Sequence, residues 1–320
     1  MSNYIVFRIL KGLIVVVLIS IVTFAIMRAM PGDPIQLFLG TGEVELSQEQ
    51  LDAIRAKWGL DKPLIQQYFL WAGNLLKGDL GVSIIRRGVP VSQMVQEALP
   101  ITLLLNVYAL ILALLIAIPF GIWAAIRRNS MVDYSTAVAS ALGIATPNFW
   151  LSLMLIVLFA LYIPRWIGEI PLIGRIPPFG LKTWQGYILP VIVLSAEQMA
   201  VFTRVMRGAI IEVLPQDFIR TARSKGVPGR RIVWRHAVSN ALLPVITVIG
   251  FRIAFILSGT IIVETVFALP GIGRLFTDSV IRLDYQVVQS LVVMLAVIVV
   301  VVNLVTDLLY AVIDPRIRIS

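Results

Sequence analysis

Long runs without charged residues alternate with charged segments along the chain. Six runs are candidates to cross a bilayer, at residues 12–27, 98–126, 134–164, 183–203, 237–263 and 285–306. Burying a charge in hydrocarbon is costly, and about 20 helical residues span the apolar layer, so each run predicts a membrane-spanning helix. Only Glu197 and Arg252 interrupt the fourth and fifth runs. The pattern predicts an all-α polytopic membrane protein with six transmembrane helices.

The distribution of basic residues orients these spans. With the N-terminus inside, the inner segments hold 14 Lys and Arg residues and the two short outer loops hold 5. Cytoplasmic loops carry the excess of Lys and Arg, so the N- and C-termini are both predicted to be cytoplasmic. The first run has a basic start but no small-x-small cleavage site after it. It therefore predicts an uncleaved anchor rather than a signal peptide.

Composition agrees with a membrane location and restricts the chemistry. The 320 residues are 58% hydrophobic and 14% charged, whereas soluble domains average about 25% charged residues. The lack of cysteine and the single histidine, His236, leave no thiolate metal site and little for acid–base catalysis. No Gly-x-x-x-x-Gly-Lys-Ser/Thr loop is present to bind ATP phosphates. The sequence predicts a non-catalytic subunit without a metal or cofactor of its own.

The segment between the first two spans is predicted to be folded and to lie outside the cytoplasm. Residues 47–50 fit a helix capping box, and apolar residues recur at helical spacing from Leu64 to Leu75 after Pro63. Pro63 suits the first position of this second helix. Short amphipathic helices of this kind form either a docking surface for an external partner or a cap over the ends of the spans.

The segment between the fourth and fifth spans is strongly basic. Residues 204–235 carry eight basic and two acidic residues, which is +6 of the formal net charge of +9. Small residues around Gly226, followed by Pro228 and Gly229, predict two short helices joined by a tight turn. On charge alone, the segment could lie on anionic lipid. The small residues allow another surface to approach closely, which favours insertion into a groove on a soluble partner.

Residues 212–226, which read EVLPQDFIRTARSKG, resemble the coupling segment of type I ABC importer permeases. In detail the resemblance is to the dipeptide and oligopeptide branch, and to the first (B-type) of its two permease subunits. Further motifs of that branch follow in order along nearly the whole chain: PGDP at 31–34, GLDKPL at 59–64, GDLG at 78–81, PNFW at 147–150, ETVF at 264–267, PGIG at 270–273, DYQVVQ at 284–289 and DPR at 314–316.

The resemblance implies the other parts of an importer. These are a second homologous permease subunit, two ATPase subunits that carry ATP and Mg, and an extracytoplasmic substrate-binding protein. The implied function is ATP-driven import of di- and oligopeptides, although the same machine also imports nickel chelates, glutathione or oligosaccharides. The implied regions are an N-terminal anchor at 1–30, an extracytoplasmic segment at 31–97, and a permease core at 98–314 that contains the coupling segment 204–236.

Two groups of functional residues come with the resemblance. Coupling to the ATPase is expected of Glu212, Asp217, Arg220, Thr221, Ala222, Lys225 and Gly226. The general family motif begins with Glu-Ala-Ala where this chain has Arg-Thr-Ala, so the main polar contact with the ATPase stays open. An extracytoplasmic gate or a contact with the binding protein is expected of Glu264, Phe267, Pro270, Gly271, Asp284 and Tyr285.

Polar groups inside the spans form a third group, the translocation-path candidates Glu197, Arg252, Gln286 and Gln289. A structural contact between helices is the alternative role for each of them. At about 1.5 Å per residue, the depths of Glu197 and Arg252 differ by about 15 Å, so a direct pair would need tilted helices or a shifted span boundary.

Two other classes of protein are weighed against a permease subunit. An ion-coupled secondary transporter would use Glu197 as its ion site, but the sequence shows no internal repeat. A membrane-embedded enzyme would need a nucleophile and a base in the spans, and no such set stands out.

Overall fold

The computed structural model describes residues 2–29, 61–86, 88–166, 168–171 and 173–313. Within these ranges the chain is helical, and its only β-structure is two isolated bridges, Val82 with Pro90 and Ile170 with Gly174. Several segments singled out in the sequence lie outside the described residues: the PGDP motif, the capping box at 47–50, the first two residues of the GLDKPL motif and the DPR motif.

Ten helices of this part of the chain are labelled in order. They are α1 (Ser2–Ala29), α2 (Leu64–Leu76), α3 (Val91–Ile126), α4 (Met131–Ala145), α5 (Asn148–Ile156), α6 (Ile188–Val213), α7 (Asp217–Ser224), α8 (Val238–Val266), α9 (Ile272–Ile281) and α10 (Tyr285–Ile313). α5 continues through a π-helical turn, Val157–Tyr162, and one further turn, Ile163–Trp166. The 3-10 turn Trp184–Tyr187 precedes α6, and Gly229–Arg231 with the π-helical turn Ile232–Ala237 precedes α8.

Six helical stretches among the described residues are long and apolar enough to cross a membrane. They are Val6–Ala29, Val91–Ile126, Asn148–Trp166, Trp184–Val213, Gly229–Arg252 and Tyr285–Thr306. The six spans and the all-α class predicted from the charge-free runs are therefore confirmed. The cytoplasmic location of the termini stays a prediction, based on the distribution of Lys and Arg.

The third predicted span, at 134–164, is not one continuous helix. α4 ends at Ala145, Thr146 is extended with φ −81° and ψ 117°, and α5 begins directly after Pro147. Proline lacks the N–H that continues a helix, and it disfavours helical backbone at the residue before it. The span is therefore the shorter stretch after Pro147, and α4 is a separate helix that packs against α6.

The chain divides into two units, of which the first contains residues 1–100 and 271–320. In this unit α1 packs along α10, α2 packs against α1, and α9 packs against α10. Most apolar side chains of α1 are exposed, as expected of a helix that faces lipid. The core lies where the start of α3 meets α9 and α10, and it contains Val91, Met94, Val95, Ala98, Ile272, Leu275, Val287 and Leu291.

The second unit, residues 101–270, is built around α6, which packs against α4, α5 and α8. A Cβ atom added to Gly121 of α3 would lie 2.9 Å from the carbonyl oxygen of Thr203 and 2.8 Å from the Cβ of Met206 in α6. The backbones of α3 and α6 are therefore in direct contact, which small residues make possible between membrane helices. Four buried small residues at four-residue spacing form this side of α3: Ala109, Ala113, Ala117 and Gly121.

Replacing Gly121 with alanine is expected to destabilise the protein by about 1–3 kcal/mol, because the added methyl group meets a backbone carbonyl that cannot turn aside. Thermal unfolding of the purified protein, followed by tryptophan fluorescence, measures the change. Gly208→Ala is the matched control, since Gly208 lies within α6 but has nothing within 4 Å of an added Cβ. Equal unfolding midpoints for Gly121→Ala and the unchanged protein would contradict the close contact.

Candidate functional site

The basic segment after α6 contains α7, an eight-residue helix with one narrow apolar face. Ile219 and Ala222 are the buried residues of this helix, with 0% and 8% of their surface exposed. Their spacing of three residues places them on the same side of the helix. The other residues of α7 are exposed. The helix is therefore held on the protein by two side chains and presents the rest of its surface outward.

The buried face of α7 contacts an apolar cluster that contains the ends of three long helices. We call this group the seating cluster: Ile122 and Ala125 of α3; Met206, Ala209, Ile210 and Val213 of α6; Ile219 and Ala222 of α7; Ile232 and Ala237 of the π-helical turn before α8; and Val238, Ala241 and Val245 of α8. Close-packed interiors resist compression and transmit strain. A displacement of α7 therefore acts on the ends of α3, α6 and α8 together.

A tight turn ends α7 and fixes the direction of the chain after it. Gly226 has φ +74°, a left-handed conformation that glycine adopts without steric strain. The N–H of Gly226 donates to the carbonyl of Arg223 at 2.9 Å, and the N–H of Val227 donates to that of Ala222 at 3.2 Å. Helical structure resumes at Gly229. This arrangement is the pair of short helices joined by a turn that the glycine pattern predicted.

The outward surface of α7 and its turn is mostly basic. Arg220, Arg223 and Lys225 are exposed, and Arg220 Nη1 pairs with Asp217 Oδ1 at 3.3 Å. Six of the seven residues expected to reach an ATPase are exposed: Glu212, Asp217, Arg220, Thr221, Lys225 and Gly226. Ala222 differs, because it is buried in the seating cluster. Ala222 therefore holds the helix in place and offers no surface to a partner.

Two exposed aromatic residues of this segment were not among the sequence candidates. Phe218 of α7 is 39% exposed, directly beside the buried Ile219. Trp234 is 53% exposed and lines a groove with Arg230, Arg231 and Arg235. Exposed aromatic residues and arginines are the types most often found as energetic anchors of interfaces. The signal in the sequence was an aromatic residue within a basic run.

Inside the spans, Glu197 of α6 and Arg252 of α8 form a direct ion pair. Arg252 Nη1 donates to Glu197 Oε1 at 2.7 Å. Counting residues along the sequence put the two side chains at different depths, so a direct pair required tilted helices or a shifted span boundary. In the structure, α8 packs against α6 and the two side chains meet. Their side chains are 37% and 30% exposed, so the pair lies at the surface of the second unit rather than in its core.

The two glutamines of α10 have different surroundings. Gln286 Nε2 donates to the carbonyl of Leu80 at 3.2 Å, and Ser290 Oγ donates to the same carbonyl at 2.8 Å. Gln286 therefore helps to attach the outer segment to α10. Gln289 is buried, and its Nε2 has no hydrogen-bond acceptor among the described residues. Of the two translocation-path candidates on α10, Gln289 is therefore the one whose side-chain nitrogen has no acceptor among the described residues.

A buried carboxylate fastens the outer segment to the start of α10. Asp284 is 2% exposed and accepts hydrogen bonds from Ser83 Oγ and from the backbone N–H groups of Ile84 and Ile85, at 3.2 and 3.3 Å for the two backbone donors. Tyr285, the next residue, is also buried. Both of these gate candidates thus have contacts within the chain itself.

The gate candidates at the end of α8 are also mostly buried. Glu264 is fully buried and accepts a hydrogen bond from Thr102 Oγ1 at 2.6 Å. Phe267 packs in the apolar cluster that contains Leu105 and Val263. Pro270 is the exposed member of this group, and Gly271 is the N-cap of α9. A contact with a binding protein stays a prediction for these residues.

An ion pair between α4 and α6 was not among the sequence candidates, and its carboxylate is buried. Arg207 Nε and Nη2 donate to Asp133 Oδ1 and Oδ2 at 2.5 and 2.9 Å, and the N–H of Asn129 donates to Oδ2 at 3.0 Å. The hydrogen bond from Arg207 and then that from Asn129 lower the pKa of Asp133 from 3.8 to about 2. The partners lie 74 residues apart. A local pattern therefore cannot reveal which basic residue Asp133 contacts.

Comparisons with known proteins agree with this architecture. Residues 117–319 match the family described as binding-protein-dependent transport system inner membrane component, and residues 1–106 match the N-terminal region of such membrane components. The oligopeptide transport system permease protein AppB of Bacillus subtilis is 41% identical over 99% of this chain and 100% of its own length. A putative peptide permease of Brucella suis is 37% identical over the full length of both chains.

A third relative, the glutathione transport system permease protein GsiC of Escherichia coli, is 35% identical over 99% of both chains. Six apolar spans with an exposed, firmly seated helix between the fourth and fifth define a multi-pass membrane permease. The chain belongs to the binding-protein-dependent transport system inner membrane component family. It is therefore a multi-pass protein of the bacterial inner membrane, and the resemblance to ABC importer permeases of the peptide branch is confirmed.

Membership of this family sets the chain's general role. It is a transport component of an ABC importer, whose systems work with a substrate-binding protein and an ATPase. Across the residues that the structure describes, no group of three or more His, Asp or Glu side chains could hold a metal ion.

Asp133→Asn is expected to destabilise the protein by about 2–3 kcal/mol, because it leaves the Arg207 guanidinium without its carboxylate partner. Asp278→Asn is the control, since Asp278 pairs with Arg274 at 3.6 Å on an exposed face of α9 and such pairs contribute about 0–1 kcal/mol. Thermal unfolding of the purified protein measures both effects.

The difference between Asp133→Asn and the unchanged protein should also depend on pH. Since the pKa of Asp133 is lower in the folded protein, the ion pair stabilises fully above about pH 4. Its contribution is lost as the pH falls towards 2. A difference in unfolding midpoint that stays constant between pH 5 and pH 2.5 would show that folding does not lower the pKa of Asp133.

Proposed function

We propose that this chain is one of two permease subunits in an ATP-driven importer of di- and oligopeptides. The printed names of the Bacillus and Brucella relatives support the peptide substrate, and the match extends over essentially the whole of each chain. The second subunit is a homologous permease, and together the two enclose the translocation pathway. This chain does no catalysis, and ATP with Mg binds to two partner ATPase subunits.

The observation that carries the coupling role is the burial of Ile219 in the seating cluster. A groove on each ATPase subunit accepts the outward face of an α7-type helix, in the manner of other helix-in-groove contacts. When ATP closes the ATPase pair, α7 moves with the groove, and the seating cluster transfers that movement to α3, α6 and α8. Rigid-body movement of this kind switches the spans between inward- and outward-facing states.

The substrate is delivered from the outer side by the binding protein, which provides most of the selectivity. The contact of the binding protein on this chain includes Pro270, and the exposure of Pro270 supports this choice among the gate candidates. Glutathione is the second candidate substrate, supported by the printed name of the Escherichia coli relative. Uptake assays with the purified importer and its own binding protein distinguish the two, since only the true substrate supports accumulation driven by ATP.

Arg220→Glu is expected to lower ATP-driven uptake by about tenfold or more and to weaken copurification of the ATPase subunits, because it reverses a charge on the docking face of α7. Uptake by proteoliposomes containing the whole complex measures the effect. The fold should be unaffected, since Arg220 and Asp217 are exposed and their pair contributes at most about 1 kcal/mol.

Arg127→Glu is the matched control for this experiment. Arg127 is also an exposed arginine and is predicted to lie on the same side of the membrane, but it follows α3 and is not part of α7. It should keep normal uptake and ATPase binding. Full uptake by Arg220→Glu, or an equal loss in both variants, would contradict a specific role of α7 in coupling.

Glu197 and Arg252 are proposed to line the pathway as a neutral pair. Glu197→Gln leaves the Arg252 charge without its partner inside a span, which is costly in a membrane, so less complex should assemble. The double variant Glu197→Gln with Arg252→Gln removes both charges and should assemble normally. Its uptake should nevertheless fall, by about threefold or more, if the pair contacts substrate. Normal uptake by the double variant would assign the pair a purely structural role.

A further inference from the structure

Among the described residues, none packs over an apolar stripe on α2 closely enough to bury it. Ile65, Phe69, Ala72 and Leu76 follow one another at spacings of four, three and four residues, which places them along one side of the helix. Phe69 and Leu76 are 67% and 91% exposed. The polar residues Gln66 and Asn74 are exposed on a different side of the helix, with the half-exposed Leu70 between them. Apart from the face that packs on α1, the surface of α2 therefore has one wholly apolar side and one mixed side.

The inner face of α2 is fixed on α1 by aromatic contacts. The Phe24 ring lies 5.5 Å from the Tyr68 ring and 5.9 Å from the Trp71 ring, measured between centroids. The Tyr68 and Ser20 hydroxyl oxygens are 2.8 Å apart and hydrogen-bonded. Because these contacts lock the rotation of α2, the stripe cannot turn inward to bury itself.

A groove of about 530 Å³ runs between α1 and the edge of the stripe. Ile21 and Ala25 of α1 form one wall, and Ile65 and Phe69 of α2 form the other. Arg28 is at the end of α1, within the same lining, and its guanidinium lies 5.3 Å from the centroid of the Phe24 ring. The groove is thus apolar along its length and carries one positive charge.

The groove continues the surface of a helix that faces lipid. α1 is a membrane span by length and composition, and its side chains at Ile21 and Ala25 are exposed. The apolar surface of α1 therefore passes into the stripe of α2 without a polar boundary. Aromatic rings and a basic side chain at the end of a span are typical of the membrane–water interface. An arginine at this depth is suited to the phosphate of a phospholipid.

We propose that α2 lies in the interface of the membrane, with its apolar stripe in lipid, and that the groove holds an acyl chain whose phosphate binds Arg28. The outer segment then does more than dock a partner or cap the spans. It attaches the external end of α1 to the lipid surface beside the transport pathway.

The chain has no cysteine, so single cysteines can report on this position directly. Phe69→Cys on the stripe and Asn74→Cys on the polar side are labelled with a bimane fluorophore. The whole complex, with cysteine-free partner subunits, is reconstituted in nanodiscs of phosphatidylethanolamine and phosphatidylglycerol. Some of the lipid carries a nitroxide at acyl carbon 5. Quenching at position 69 should exceed quenching at position 74 by about twofold or more.

Equal and weak quenching at both positions would overturn the proposal. If the label at position 69 is instead shielded from aqueous iodide without lipid quenching, a protein segment covers the stripe. That segment would be either residues 30–60 of this chain or the binding protein, and repeating the measurement with and without added binding protein distinguishes them. Either result would replace lipid as the occupant.

The role of Arg28 is tested separately by native mass spectrometry of the complex released from the same nanodiscs. Arg28→Gln should lose about one retained phospholipid per complex. Lys77→Gln is the control, since Lys77 is an exposed basic residue at the other end of α2 and does not line the groove. Unchanged lipid retention in Arg28→Gln would overturn the assignment of Arg28 as the phosphate ligand, independently of the position of the stripe.

Discussion

The contact of Ile219 with the ends of three long helices is the interaction that holds α7 in place and on which the proposed coupling role rests. α7 has eight residues, and isolated helices of that length are unstable in water. Its position and its helical form therefore come from the seating cluster. As a result, the outward face of α7 is available to a partner, while its inner face packs on the ends of the spans. Ala222 is also buried in the seating cluster and helps to hold α7 in place.

Several polar and charged groups of the described residues form hydrogen bonds or ion pairs between elements that are distant in sequence. Asp284 attaches the outer segment to α10, and the Asp133–Arg207 pair attaches α4 to α6. A buried carboxylate that has lost its donors is strongly destabilising, so each of these pairings specifies one arrangement of its helices. Glu197 and Arg252 follow the same principle at an exposed surface. There, pairing offsets the cost of placing both charges inside spans.

Two amphipathic helices of this chain, α7 and α2, differ in what their faces contact. α7 has a narrow apolar face that is fully buried, so its exposed side is basic and suited to a soluble protein. α2 buries an aromatic face on α1 and leaves a second apolar stripe exposed. Exposed apolar surface of that kind marks a site of interaction with lipid or with another protein, and we assign this stripe to lipid. The two helices thus differ in the composition of their outward faces.

The sequence by itself determined the six spans, the family, and the turn at Gly226, because hydrophobic runs and glycine conformations are local properties. Pro147 was recognised only as part of a motif. The helix break there was not predicted, and the sequence indicated one continuous span instead. The tertiary structure decided which charges meet: Glu197 with Arg252, and Asp133 with Arg207. It also decided that Ala222 faces inward. The physical reason is that a pairing or a buried face depends on which helices become neighbours, and residues far apart in sequence do not encode that locally.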